Sequence, residues 1–207
     1  MGYQIPETSQ LAELHKKQVY RNEDFIMTWT IDENICDAII KYFHDNPDLQ
    51  GQGMTYGGVD KSVKESTDLQ IKADFFQEPF LSYRNQLQHC LNNYINKYPS
   101  LNRVARFNVT EPYNIQHYPI GGGFKDEHCE RGGMFDKNIK RCLAFMTYLN
   151  DVDDGGTIFT YQNRKIRAIK GKTVIWPADW THTHVGEISK TREKTILTGW
   201  FSYLWDV

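Results

Sequence analysis

The stretch FKDEHCERGG, Phe124 to Gly133, sets an imidazole and a carboxylate one residue apart in His128-Cys129-Glu130. Side chains alternate along an extended chain, so both groups would point to the same side and could hold two corners of a metal site. Two donors hold an ion too loosely, and a third is needed. Downstream, IWPADWTHTHVGE offers His182 and His184, which share one parity and lie beyond three strand-like runs able to fold back against the first pair. Two imidazoles and one carboxylate on one face of an octahedron suit a ferrous ion with its opposite face open. Zinc is less well served, because the helical HExxH spacing is absent.

A cation completes the pattern. Lys194 opens KTILTGW, a strand in which Lys194, Ile196, Thr198 and Trp200 would share one face. A lysine aimed into an apolar and aromatic interior is costly to bury without an anionic partner. Arg192 offers the same charge but sits outside the apolar strand.

These residues need a scaffold. From residue 103 onward short runs rich in β-branched and aromatic residues follow one another: RVARFNV, NIQHYP, RCLAFMTYLN, TIFTYQN, KIRAIK, KTVIWP and KTILTGWFSYL. Gly121-Gly122-Gly123, Asp153-Asp154-Gly155-Gly156 and Gly171 read as the turns between them. Closely spaced strands without helical patterns between them predict an antiparallel sandwich or jelly roll, cupin-like in outline. Upstream, Thr30-Ile31-Asp32-Glu33 reads as a capping box, and Ile35, Ile39 and Phe43 then predict a helix over about 32–45. A second helix starts at Pro79, carries Phe80, Leu87, Leu91, Tyr94 and Tyr98 on one stripe, and ends before Pro99. Both helices are expected to brace one face of a sheet. Residues 51–70, rich in Gly, Ser, Thr and charge, read as a long loop. The fold class is thus α+β and mainly β, one domain over 1–207 with a helical preface to about residue 100 and the chemistry in 101–207.

Composition narrows the function classes. The chain has 207 residues, with 24 Lys plus Arg against 26 Asp plus Glu, and no basic cluster marks a nucleic-acid footprint. No run of about 18 apolar residues predicts a membrane span, and the first residues lack a secretory h-region, which points to a cytoplasmic protein. Cys36, Cys90, Cys129 and Cys142 form no CxxC pair and are expected to be free thiols.

Taken in order, Tyr118-Pro119-Ile120-Gly121-Gly122-Gly123-Phe124, His128-Cys129-Glu130, Gly155-Gly156-Thr157-Ile158-Phe159, His184, Lys194 ten residues on and Trp200 six beyond that resemble the prolyl 4-hydroxylase group of Fe(II)/2-oxoglutarate dioxygenases. Arg141 to Asn150, RCLAFMTYLN, is similar to the matching strand of the hypoxia-type enzymes, and the resemblance covers roughly residues 100–204. It implies a double-stranded β-helix with N-terminal supporting helices. It also implies Fe(II) held by His128, Glu130 and His184, with His184 preferred over His182 by its spacing to Lys194. Lys194 and Tyr148 would take the distal carboxylate of 2-oxoglutarate, Tyr118 would line that pocket, and Thr198 and Trp200 would form its wall. Further implications are O2 as the oxidant, ascorbate as reductant, release of succinate and carbon dioxide, and hydroxylation of a proline in a peptide or protein substrate. In that case the 51–70 loop could close over the peptide. The usual ligand carboxylate is aspartate, and Glu130 departs from it by one methylene; retention of a carboxylate argues for hydroxylation over halogenation. A free amino acid or other small molecule as substrate, and a non-catalytic β-barrel binding module, are the competing readings.

Overall fold

The computed structural model describes residues 23–55, 57–132 and 136–204; the opening residues read above for a secretory signal, and Gly133, lie outside them. Among the described residues eleven strands are formed: β1 Met27–Thr30, β2 Gln50–Gln52, β3 Thr67–Ile71, β4 Phe107–Asn108, β5 Tyr113–Tyr118, β6 Arg141–Tyr148, β7 Val152–Phe159, β8 Arg164–Ala168, β9 Lys172–Pro177, β10 His184–Gly186 and β11 Lys194–Tyr203. Two antiparallel sheets result. The larger runs β1-β9-β6-β11-β5-β3-β2, with β4 paired to β11, and the smaller runs β10-β7-β8. The expected double-stranded β-helix is the observed fold.

Period two sorts the large sheet into two faces. Leu197 and Phe201 of β11, Ile115 and Tyr113 of β5, Phe145 of β6 and Leu69 of β3 face a core shared with helices α1, Glu33–Asp45, and α2, Phe80–Lys97. The opposite face carries Tyr118, Ala144, Met146, Tyr148, Val174, Trp176 and Ile196, which with Phe159 and Ile166 of the small sheet line the barrel interior. The helices thus brace one face, as expected, and leave the other to line the site. On α2, Phe80, Leu87, Leu91 and Tyr94 are buried, joined by Tyr83, whose hydroxyl pairs with Thr147 at 3.1 Å.

Several boundaries differ from expectation for physical reasons. Helix α1 is capped by Asp32, whose carboxylate accepts from the Asn34 amide at 2.9 Å, while Thr30 is the last residue of β1. The run RVARFNV yields only the short strand β4, because Pro99–Arg103 wind into a 3-10 helix. Asp153-Asp154-Gly155-Gly156 is no turn: it lies within β7, where the register against β8 shifts between Val152 and Thr157. Both ends of the expected 51–70 loop are strands, since Gln50–Gln52 pairs with Thr67–Leu69. All four cysteines are free thiols, and no helix of the described residues is long and apolar enough to cross a membrane.

Candidate metal centre

His128 and Glu130 sit on a segment outside any named strand. That segment is nonetheless held like one: His128 and His184 form an antiparallel bridge, with amide-to-carbonyl bonds of 3.0 and 2.9 Å in the two directions. Phe124 stacks on the His128 ring at 3.9 Å, and Lys64 pairs with Phe124 across the next bridge. On the other flank, Phe159 and Trp176 pack against the His184 ring at 5.3 and 5.2 Å. The His128 and His184 imidazoles are thereby fixed by backbone pairing and aromatic walls together.

One donor atom from each of His128, Glu130 and His184 lies within 4.8 Å of the others. Glu130 Oε1 stands 3.4 Å from His184 Nε2 and 3.8 Å from His128 Nε2. The tautomers follow from the backbone. His128 Nδ1 is 2.9 Å from the Asp126 carbonyl and His184 Nδ1 is 2.9 Å from the His182 carbonyl. A carbonyl only accepts, so each Nδ1 carries the proton and each Nε2 presents a lone pair to the shared space. Burial pushes the His128 pKa down despite the adjacent Glu130, so the ring is a neutral donor near neutral pH. Burial would raise the Glu130 carboxyl, but the adjoining His184 and His128 rings and the Trp200 indole bond lower it to about 2, and it stays ionised. One carboxylate oxygen and two imidazole nitrogens converging on one point fit a divalent first-row ion.

His182 does not join them. It is buried, its Nε2 donates to the Asp24 carbonyl at 2.9 Å, and its Nδ1 faces the Thr181 hydroxyl at 2.9 Å, so both ring nitrogens are committed to the wall. Arg192 is exposed on the loop before β11.

Lys194 lies in the barrel at 4% exposure, opposite Tyr118 in the β11–β5 register. Its ammonium donates to the Glu187 carbonyl at 2.8 Å and sits 5.3 Å from the Tyr118 ring centre. Gly155 makes room for it, since a Cβ there would come within 3.2 Å of Lys194 Cδ and closer still to Val152. Burial pulls the ammonium down to about 8, with Glu187 and Asp154 opposing. A buried cation whose direct partner is a neutral carbonyl is poised for an anion. Its charge is present below about pH 8 and is lost above it. Affinity for a dicarboxylate cosubstrate should therefore hold level below that pH and fall by up to tenfold per unit above it; calorimetric titrations between pH 6.5 and 9.5 check this.

The remaining expected site residues are placed as follows. The Tyr148 hydroxyl is 2.6 Å from Thr157 Oγ1, and burial holds its pKa above the ordinary tyrosine value. Tyr118 donates to Gln116 Oε1 at 2.6 Å, and Thr198 donates to the Phe145 carbonyl at 3.0 Å. Trp200 packs against the barrel core, and its indole Nε1 donates to Glu130 Oε2 at 2.6 Å. Sequence reasoning missed Thr157, Glu111 and Arg141, each separated from its partner by a contact that only the folded chain makes.

Residues 113–202 match the family model described as the 2OG-Fe(II) oxygenase superfamily. His128, Glu130, His184 and Lys194 all fall inside the stretch that this model matches. No curated protein matches the sequence. Among solved structures, the viral collagen prolyl hydroxylase of Paramecium Bursaria Chlorella virus-1, in its 2OG complex, aligns with TM-score 0.68 at 17% identity, covering 89% of this chain and 99% of that one. A prolyl hydroxylase from Trichoplax adhaerens, complexed with a hypoxia inducible factor peptide fragment, aligns with TM-score 0.66 at 16% identity over 96% and 94% of the two chains. A prolyl-4-hydroxylase of Pseudomonas putida gives 0.64 at 16% identity over 88% and 95%. At such identities the likeness is one of fold.

Proposed function

We propose that the protein hydroxylates a proline within a peptide or protein, consuming 2-oxoglutarate and O2 and releasing succinate and carbon dioxide. The observation that carries the oxygenase half of this reading is the pair of carbonyl-locked imidazoles that aim their Nε2 atoms at Glu130 in the same barrel as a buried lysine. The peptidyl half is supported by the fold likeness to prolyl hydroxylases, one of them solved with a peptide.

His128, Glu130 and His184 would hold Fe(II), which supplies the activation of O2 needed to attack an unactivated C–H bond. Lys194 would grip the distal carboxylate of 2-oxoglutarate as a point charge, with the paired Tyr148 and Thr157 hydroxyls of the same barrel available as neutral hydrogen-bonding groups. Phe159, Trp176 and Ile196 exclude water from the cavity. The segment between β2 and β3 is strapped to the metal-bearing stretch by bonds from the Glu65 amide to the Gly123 carbonyl, 2.9 Å, and from the Lys125 amide to the Val63 carbonyl, 2.8 Å. It would border a bound peptide there, with Lys61 exposed and Lys64 buried against Asp68 at 2.6 Å.

The test is succinate release with Fe(II), ascorbate and a panel of proline-containing peptides, with mass analysis of each peptide. Peptide-dependent succinate with gain of one oxygen atom is expected. Turnover with free amino acids and none with peptides would replace the substrate reading while leaving the oxygenase intact.

A further inference from the structure

We propose that Trp200, backed by Arg141 and Glu111, is a positioning residue that confines Glu130 to a single metal-facing oxygen. The inference rests on the reading of His128, Glu130 and His184 as the metal site.

A glutamate has one more rotatable bond than an aspartate and two equivalent oxygens, so a ligand of this length can swing or chelate through both. Chelation through both would occupy a coordination position that the open face must keep free. The two oxygens of Glu130 are not equivalent in this protein. Oε1 faces both ligand imidazoles, whereas Oε2 accepts the indole N–H of Trp200 at 2.6 Å. A charge-assisted bond of that length engages the second oxygen and fixes the carboxylate plane.

The indole is itself held. The Arg141 guanidinium lies over its ring with 3.5 Å to the centroid. Arg141 also donates to the Glu130 backbone carbonyl at 3.1 Å, so one side chain braces both the ligand's main chain and the ring that grips its tip. Two parallel bonds to Glu111, 3.0 and 2.7 Å, fix the guanidinium, and Ser202 Oγ donates to the same carboxylate at 3.0 Å. Ser202 and Trp200 both belong to β11, and Arg141 opens the neighbouring β6. The clamp is therefore built into the large sheet and reaches across to the loop carrying Glu130. It accounts for how the longer carboxylate serves at this corner: the added methylene lets one oxygen reach the indole while the other stays between the imidazoles.

The test is equilibrium binding of Co(II), a redox-inert probe, to the full chain without peptide or 2-oxoglutarate. Trp200→Phe keeps an aromatic ring under Arg141 and removes the indole donor; it should weaken Co(II) binding about 10- to 100-fold, the range for groups that orient ligands. Glu130→Asp should cost a similar factor by breaking the reach between indole and metal. Because both act through one bond, the double variant should bind clearly tighter than the product of the two single losses requires. Trp200→Phe binding within twofold of the parent, or single losses that multiply, would overturn the proposal. If Trp200→Phe does not fold, Glu111→Gln, which loosens Arg141 while keeping its size, should still weaken Co(II) binding at least about threefold, and unchanged binding would overturn it. Failure of every peptide in the turnover assay leaves these outcomes unaffected.

Discussion

Replacing His184 by alanine is expected to abolish succinate release, a loss of at least about a thousandfold, whereas His182→Ala retains turnover. The two residues are equivalent in sequence, in parity and in burial, and differ in where their nitrogens go. His184 gives Nδ1 to a carbonyl and leaves Nε2 3.4 Å from Glu130. His182 spends Nε2 on the Asp24 carbonyl, so its removal detaches the chain leading into β1 and leaves the metal donors in place. His182→Ala should accordingly lower thermal stability by about 1 to 3 kcal/mol, the cost of an unpaired buried polar group, measurable by denaturant titration. Activity loss in His182→Ala with survival in His184→Ala would reassign the ligand.

The second large effect falls on the cosubstrate. Lys194→Met keeps the length of the side chain and removes its charge, and should raise the KM for 2-oxoglutarate by about two orders of magnitude, as expected when one partner of a buried ion pair is lost. Loss confined to KM would mark binding of the ground state, while a parallel fall in kcat would mean that the distal carboxylate also orients the keto acid end. Lys194→Arg should recover little, because Gly155 leaves the stem scant room and a planar guanidinium is broader than an ammonium. Steady-state kinetics over a range of 2-oxoglutarate concentrations separate these outcomes.

How much of this was legible in the sequence depended on whether a residue's role is local. The strands β5, β6, β9 and β11 announce themselves because β-branched and aromatic residues fill both faces of a buried sheet. The strands β2 and β3 at one end of the large sheet, QGQ and TDLQI, are polar or glycine-bearing and read as loop, since pairing of β3 with β5 and of β2 with β3, and not propensity, makes them strands. Asp153-Asp154-Gly155-Gly156 looked like a turn because its residues are those of turns. In the fold Gly155 clears space for Lys194, and Asp154 ties down the approach to β11 through Ser189, the Lys190 amide and Thr191.

The clustering of His128, Glu130 and His184 was legible because histidine and glutamate on one parity, followed by an inward lysine, are few enough to be matched in order. Parity alone did not separate His182 from His184; the spacing to Lys194 favoured His184, and in the fold the two differ in which backbone carbonyls take their protons. Glu111 and Arg141 carried no signal: 30 residues separate them, and the stacking of Arg141 on Trp200 exists only once β6 and β11 are side by side. Trp200, expected as pocket wall, shares the inward face with Lys194 but directs its one donor to the Glu130 carboxylate.

The most direct measurement is anaerobic titration of the apoprotein with Fe(II), followed by 2-oxoglutarate, read by the metal-to-keto-acid charge-transfer absorption. The account predicts saturation at one Fe(II) per chain, an absorption band that appears only with 2-oxoglutarate, and loss of both in His128→Ala and His184→Ala. A band that survives either substitution, or no stoichiometric Fe(II) binding in the unaltered protein, would contradict it.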